Sequence, residues 1–148
     1  MTTESLAEAL LNLWRLLRGL SHPVRRAEMT PEQYWLLRIL SHASSLSISE
    51  LAHRLGIAAS SATIACKRLE KAGLLVRERQ IDDERMVRVA LTEQGRAQIE
   101  DWRRRKREAL TELLSVLNEG EQRDLQRMIE RVLEAASTRG QFKESNEV

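Results

Sequence analysis

Leu6, Leu10, Leu13, Leu17 and Leu20 recur at alternating helical spacings with Trp14 beside them, so the chain opens on a helix with one apolar stripe. Gly19, Ser21, His22 and Pro23 end it, because proline turns the preceding residue away from the helical region. Thr30-Pro31-Glu32-Gln33 starts a second helix, with a threonine cap, a proline at the first helical position and a glutamine that closes a capping box. Leu36, Leu37, Leu40 and Ala43 follow on one face. Ser47-Ile48-Ser49-Glu50 reads as a second capping box. It opens a short helix with Leu51, Ala52 and Leu55 inward and Gly56 as a left-handed stop. The next helix is predicted from about Ala59 to Ala72. Its inner face is Ala62, Ala65, Cys66 and Leu69, and Gly73 stops it.

The period then changes. Leu74 to Arg79 and Met86 to Leu91 are strand candidates, with Val87, Val89 and Leu91 alternating against Met86, Arg88 and Ala90 around an acidic turn at Asp82-Asp83-Glu84. Thr92 caps a long helix predicted to about Leu117, apolar at Ile99, Trp102, Leu110, Leu113, Leu114 and Leu117. The basic run from Arg103 to Arg107 in its middle is expected as a solvated face. Asn118 with Glu121 is a third capping box, and Leu125, Met128, Ile129, Val132, Leu133 and Ala136 give the last helix its apolar side. The expected fold class is mostly α with a small β-wing, a winged helix-turn-helix whose N- and C-terminal helices form a dimerisation domain. The expected division is residues 1–28 as a dimerisation helix, 29–95 as the winged helix-turn-helix, 96–138 as the remaining dimer helices and 139–148 as a tail.

Composition narrows the function. Charged residues make up 31% of 148 residues with a net charge of +2, which suits a folded chain, and only 3% are aromatic, so the core must be mainly aliphatic. The single cysteine, Cys66, permits no intramolecular disulfide and no cysteine-based metal cluster. His22, His42 and His53 have no ligand-like spacing, so no metal and no cofactor is expected. No Ser-His-Asp order, phosphate-binding glycine loop or metalloprotease helix is present, so an enzyme is not expected. Acids precede the first apolar stretch, which argues against a signal peptide, and no window is apolar enough to span a membrane. A cytoplasmic location is expected.

Helix-turn-helix plus wing is a device for reading duplex DNA. A helix fits the major groove, where base edges carry a full donor and acceptor code. Ser60, Ser61, Thr63, Ile64, Lys67 and Arg68 face outward on the fourth helix with hydroxyls, a small apolar group and bases suited to it. Arg85, just past the turn, is placed for a narrow minor groove, whose negative potential attracts arginine. Arg77, Arg79 and Arg88 surround it as phosphate contacts. The acids at the tip make sense if one of them holds an arginine by a bidentate pair.

The run GLLVRERQIDDERMVRVALTEQG from Gly73 to Gly95, with Thr30-Pro31-Glu32-Gln33 and Glu50-Leu51-Ala52…Leu55-Gly56 upstream, resembles the multiple antibiotic resistance regulator (MarR) family of winged-helix transcription factors. The family pattern falls on Gly73, Leu74, Arg77, Asp83, Arg85, Leu91, Thr92 and Gly95 with no insertion or deletion. The resemblance implies a two-fold dimer on a pseudo-palindromic operator in double-stranded DNA. Its recognition helices would enter major grooves about 34–36 Å apart, and Arg85 the flanking minor groove. It also implies that Asp83 structures the wing by pairing with an arginine at its base, with Arg77 the first choice. Family members commonly bind small amphipathic, often phenolic, anions between dimer domain and winged helix. Candidate walls here are Trp14, Leu17, His22, Arg25, Trp35 and Arg38, although Trp14 and Trp35 read first as core residues. The expected function is thus a homodimeric transcriptional regulator, in the first instance a repressor released by a small-molecule effector. The alternatives are a winged-helix protein-interaction module without DNA binding and a redox-responsive regulator using Cys66.

Two departures from the family pattern bear on the site. Ala58-Ala59 stand where relatives often carry Ser-Pro, which removes the usual cap unless Ser60 serves instead. Ile64 stands where relatives often carry arginine and would offer an apolar contact to a thymine methyl. Cys66 falls on the inner face and reads as a buried thiol. The first-helix cysteine through which some relatives sense peroxide is missing.

Overall fold

Polar caps determine where the helices begin. In the computed structural model, which describes residues 1–26, 28–79 and 87–140, Thr2, Thr30 and Asn118 each close a full capping box. The first of these was not read from the sequence. The elements run α1 (Thr3–Gly19), α2 (Pro31–Ser41), β1 (Leu46–Ser47), α3 (Ile48–Leu55), α4 (Ala59–Lys71), β2 (Leu75–Arg79), β3 (Val87–Leu91), α5 (Glu93–Leu114) and α6 (Glu119–Thr138). The sheet is antiparallel in the order β1-β3-β2, with Leu46 opposite Val89, Leu75 opposite Leu91 and Arg77 opposite Val89. β1 was not expected, since a two-residue strand is too short to show alternation.

One capping box and one boundary differ from expectation, and the missing cap of α4 is as expected. Ser47 accepts from the Glu50 N–H at 3.1 Å, but the Glu50 carboxylate lies 3.8 Å from Arg88, so only the hydroxyl half of that capping box forms. α5 ends at Leu114 rather than Leu117, because Gln122 Nε2 donates to the Leu114 and Leu117 carbonyls and satisfies the orphan acceptors of the turn. Ala58 is the N-cap of α4 with no side-chain hydrogen bond, and Ser60 does not replace it. Ala58→Ser is expected to raise the unfolding free energy by about 1 kcal/mol, read from urea denaturation; no gain would mean that water already satisfies those N–H groups.

The described residues divide into two compact units, Ser21–Lys106 and, separately, Met1–Leu20 with those from Arg107 on. The first has a continuous core. Leu36, Leu37, Leu40 and Leu51 are wholly enclosed, joined by Leu69, Leu75, Val89, Leu91, Ile99 and Trp102. Each such side chain contributes about 1.5–3 kcal/mol by leaving water. One clasp closes this core. The Thr92 hydroxyl donates to the Gly73 carbonyl at 2.6 Å and accepts from the Gly95 N–H at 3.0 Å, while the Thr92 N–H donates to the Leu74 carbonyl at 3.1 Å. The start of α5 is thereby fastened to the exit of α4, which is the physical content of the Leu-Thr-x-x-Gly motif.

The other unit has no such core. Neither α1 nor α6 contains a buried residue. Leu10, Leu13 and Trp14 are 52%, 46% and 50% exposed, and Met128, Ile129, Val132 and Leu133 are open to a similar degree. The expectation that Trp14 is a core residue is therefore corrected: it is half exposed, with the Arg18 guanidinium 4.7 Å over its ring. Among the described residues no helix is long and apolar enough to cross a membrane.

Candidate nucleic-acid interface

α3 ends at Gly56 in the left-handed conformation, with φ of 66°, where any Cβ is disfavoured. The turn then delivers α4 onto α3. The inner residues Ala62, Ala65, Cys66 and Leu69 are buried as expected, and small side chains let the two helices lie close. On the other side Ser60, Lys67 and Arg68 are exposed and Ser61 and Thr63 half-buried. Ile64 is 54% exposed. The Thr63 hydroxyl donates back to the Ala59 carbonyl at 2.9 Å and keeps its acceptor lone pairs free to face outward. A groove of about 460 Å³ between the start of α2 (Thr30, Pro31, Glu32, Gln33) and α4 leaves Ser61, Ile64 and Arg68 accessible from the side.

The arginines divide differently from the expectation. Arg77 Nε and Nη2 donate to the two carboxylate oxygens of Glu70 at 2.9 and 3.2 Å. This pairing holds the Glu70 carboxyl below its usual range and raises Arg77. Arg77, expected at phosphate, gives Nε and Nη2 to the last turn of α4; its expected pairing with Asp83 lies outside the described residues. Arg88 donates to the Ser45 hydroxyl and carbonyl, both at 3.0 Å, and lies near Glu50, so it ties β3 to the loop before β1. Asp83, Arg85 and the side chain of Arg79 lie outside the described residues. Glu70 and Ser45 were not singled out in the sequence, and no periodicity marks them; an acid in the last turn of a helix ahead of a strand arginine was the one available signal.

The basic run is not uniformly solvated. Arg103 and Arg104 are exposed, but Arg105 donates to both oxygens of Glu28 at 3.0 and 3.2 Å and lies 3.1 Å from Asp101. That pairing lowers the Glu28 pKa. Lys106 is half-buried, and burial, then the charge of Arg38, lowers its pKa. Of the proposed effector residues, Trp14 and Leu17 belong to the unit holding α1, and His22, Arg25, Trp35 and Arg38 to Ser21–Lys106. Arg38 is buried, Arg25 exposed, and Trp35 42% exposed rather than in the core. The His22 and Tyr34 rings meet at a tilt with centroids 4.3 Å apart, and Tyr34 meets Trp35 edge-on at 5.3 Å.

Cys66 is buried, and burial pushes its thiol up to about 11. A reactive thiol needs the opposite shift, so the redox alternative is not favoured. Iodoacetamide at pH 8 is expected to label Cys66 only at the rate at which the fold opens; labelling as fast as a free thiol would contradict the burial. The sign for stability follows from the raised pKa. The native state keeps the proton longer than the unfolded chain, so this contribution is intact below the ordinary value of 9.0 and is lost as pH rises towards 11.

Residues 27–86 match the MarR family profile. The uncharacterized HTH-type transcriptional regulator YdgJ of Bacillus subtilis (strain 168) is 35% identical over 60% of this chain and 54% of its own length. The homoprotocatechuate degradative operon repressor of Escherichia coli is 34% identical over 64% of each chain. The match thus spans just over half to under two thirds of these relatives. Among solved structures, the transcriptional regulator Tm0710 from Thermotoga maritima superposes with a TM-score of 0.83 at 20% identity, covering 95% of this chain and all of that one. That likeness shows the winged-helix fold.

Proposed function

We propose that the chain is a member of the MarR family of winged helix-turn-helix proteins, whose profile its residues 27–86 match, and that it is a homodimeric, sequence-specific DNA-binding regulator of transcription that acts as a repressor. The observation that carries this reading is the outer face of α4. Ser60, Ile64, Lys67 and Arg68 stand open, with Ser61 half-buried beside them, on a helix whose inner face is sealed against α3. Hydroxyls, an apolar group and cations within three helical turns suit base edges and phosphates of a major groove. A protein-docking helix would instead present large apolar anchors across that face, and Ile64 stands alone there.

Selection from a pool of random duplexes, repeated across salt concentrations, tests the reading. Enrichment of a pseudo-palindrome with affinity that falls steeply as salt rises supports a dimeric reader; weak binding with no enriched sequence counts against it. Arg85→Ala is expected to weaken the selected duplex by about tenfold or more while leaving the fold intact; unchanged affinity would remove the wing from the interface.

The proposed effector is a small phenolic or amphipathic anion. It is supported, within Ser21–Lys106, by buried Arg38, whose charge acts on the half-buried Lys106, and by the His22–Tyr34–Trp35 ring cluster. Such a ligand releases DNA only to the extent that it binds the non-binding shape more tightly.

A further inference from the structure

Glu70 lies in the last turn of α4, and Arg77 lies in the middle of β2, beyond the Gly73 turn. Their two parallel hydrogen bonds, at 2.9 and 3.2 Å, join the recognition helix directly to a wing strand. The rest of that junction is poorly keyed. The inner face of α4 offers Ala62, Ala65 and Cys66, which allow close approach but form low ridges, and Leu69 is its one large side chain. Its N-terminus lacks a side-chain cap. β2 in contrast is held along its length by β3, and β3 is held by Arg88 to Ser45 and Glu50. The planar fork of an arginine on a carboxylate fixes direction as well as distance.

We propose that Glu70 and Arg77 are a positioning pair that sets the orientation of α4 on the wing, and through it the fit of Ser61, Ile64 and Arg68 to a specific duplex. This rests on the DNA-binding reading above. It makes Arg77 a positioning residue and not a phosphate contact.

The two roles predict opposite signs for one substitution. If Arg77 touched phosphate, Glu70→Ala would delete an acid near DNA and release an arginine to it, so every duplex would bind as well or better. If the pair positions α4, Glu70→Ala weakens binding although the surface becomes more positive. The experiment measures affinity for the selected duplex and for a random duplex with wild type, E70A, R77A and the exchanged pair E70R/R77E at one salt concentration. Thermal unfolding is recorded for each. Expected are losses of about tenfold on the selected duplex for each single variant, a smaller change on the random duplex, and recovery of most of the selected-duplex affinity in the exchanged pair. The milder Glu70→Gln, which keeps shape and one hydrogen bond, is expected to fall between wild type and E70A, and serves if E70A does not fold. Equal or tighter binding by E70A, or by E70Q in its place, overturns the proposal. So does an exchanged pair that melts like wild type yet binds no better than the singles. A wild-type protein that selects no duplex removes the DNA-binding reading and this proposal with it.

Discussion

Gly95→Ala is expected to lower the unfolding free energy by about 3 kcal/mol or more, at the upper end of overpacking costs. A Cβ at this position would lie 2.1 Å from the Leu74 carbonyl oxygen and 3.2 Å from Leu91 Cδ2. The side chain of Leu91 can shift, but the carbonyl cannot move freely. It accepts the Thr92 N–H at 3.1 Å, and the Leu74 N–H closes the end of α4 by donating to Leu69 at 3.0 Å. Relieving the clash therefore means pulling α5 away from α4 and giving up the Thr92 clasp. Urea and thermal denaturation check this. A variant with the wild-type midpoint would show that the first turn of α5 backs away from Leu74 at little cost, and that the clasp is not a fixed joint.

The second large effect concerns assembly. Leu13→Asp or Leu133→Asp is expected to convert the protein from dimer to monomer in sedimentation and to abolish binding to its selected duplex. α1 exposes Leu6, Leu10, Leu13 and Leu16 at about half their area or close to it, and α6 exposes Met128, Ile129, Val132 and Leu133. A monomer rarely leaves so large an apolar surface in water. Burying each leucine-sized side chain against a second copy returns about 1.5–3 kcal/mol before the entropy of association, and an aspartate there is an unpaired buried charge. The loss of DNA binding follows because a single recognition helix gives up the second half-site. A variant that still sediments as a dimer would place the interface on other helices.

These two sites also differ in how well the sequence foretold them. The stripe from Leu6 to Leu20, the capped starts at Thr30 and Asn118, and the division of α4 into a small buried face and a polar outer face are all written in local spacing. Helical periodicity and capping act over three or four residues, so they survive without knowledge of the rest of the chain. The Thr92 and Gly95 positions were legible as a motif, but their reason was not: it lies in the carbonyls of Gly73 and Leu74, brought close only when α5 docks.

The partners of long charged side chains were least legible. Arg77 reads as a phosphate contact from its place in the wing, and Arg105 as part of a solvated run, yet each ends in a bidentate pair, with Glu70 and Glu28. An arginine reaches several ångströms in any direction, so which carboxylate it meets depends on the packing of elements, and spacing along the chain carries little of that. By itself, then, the sequence determined the elements other than β1, the buried face of α4 and the resemblance to a family. Only the tertiary structure decided that Arg77 is paired with Glu70 and Arg105 with Glu28, because that choice is made by contacts between different elements of the fold.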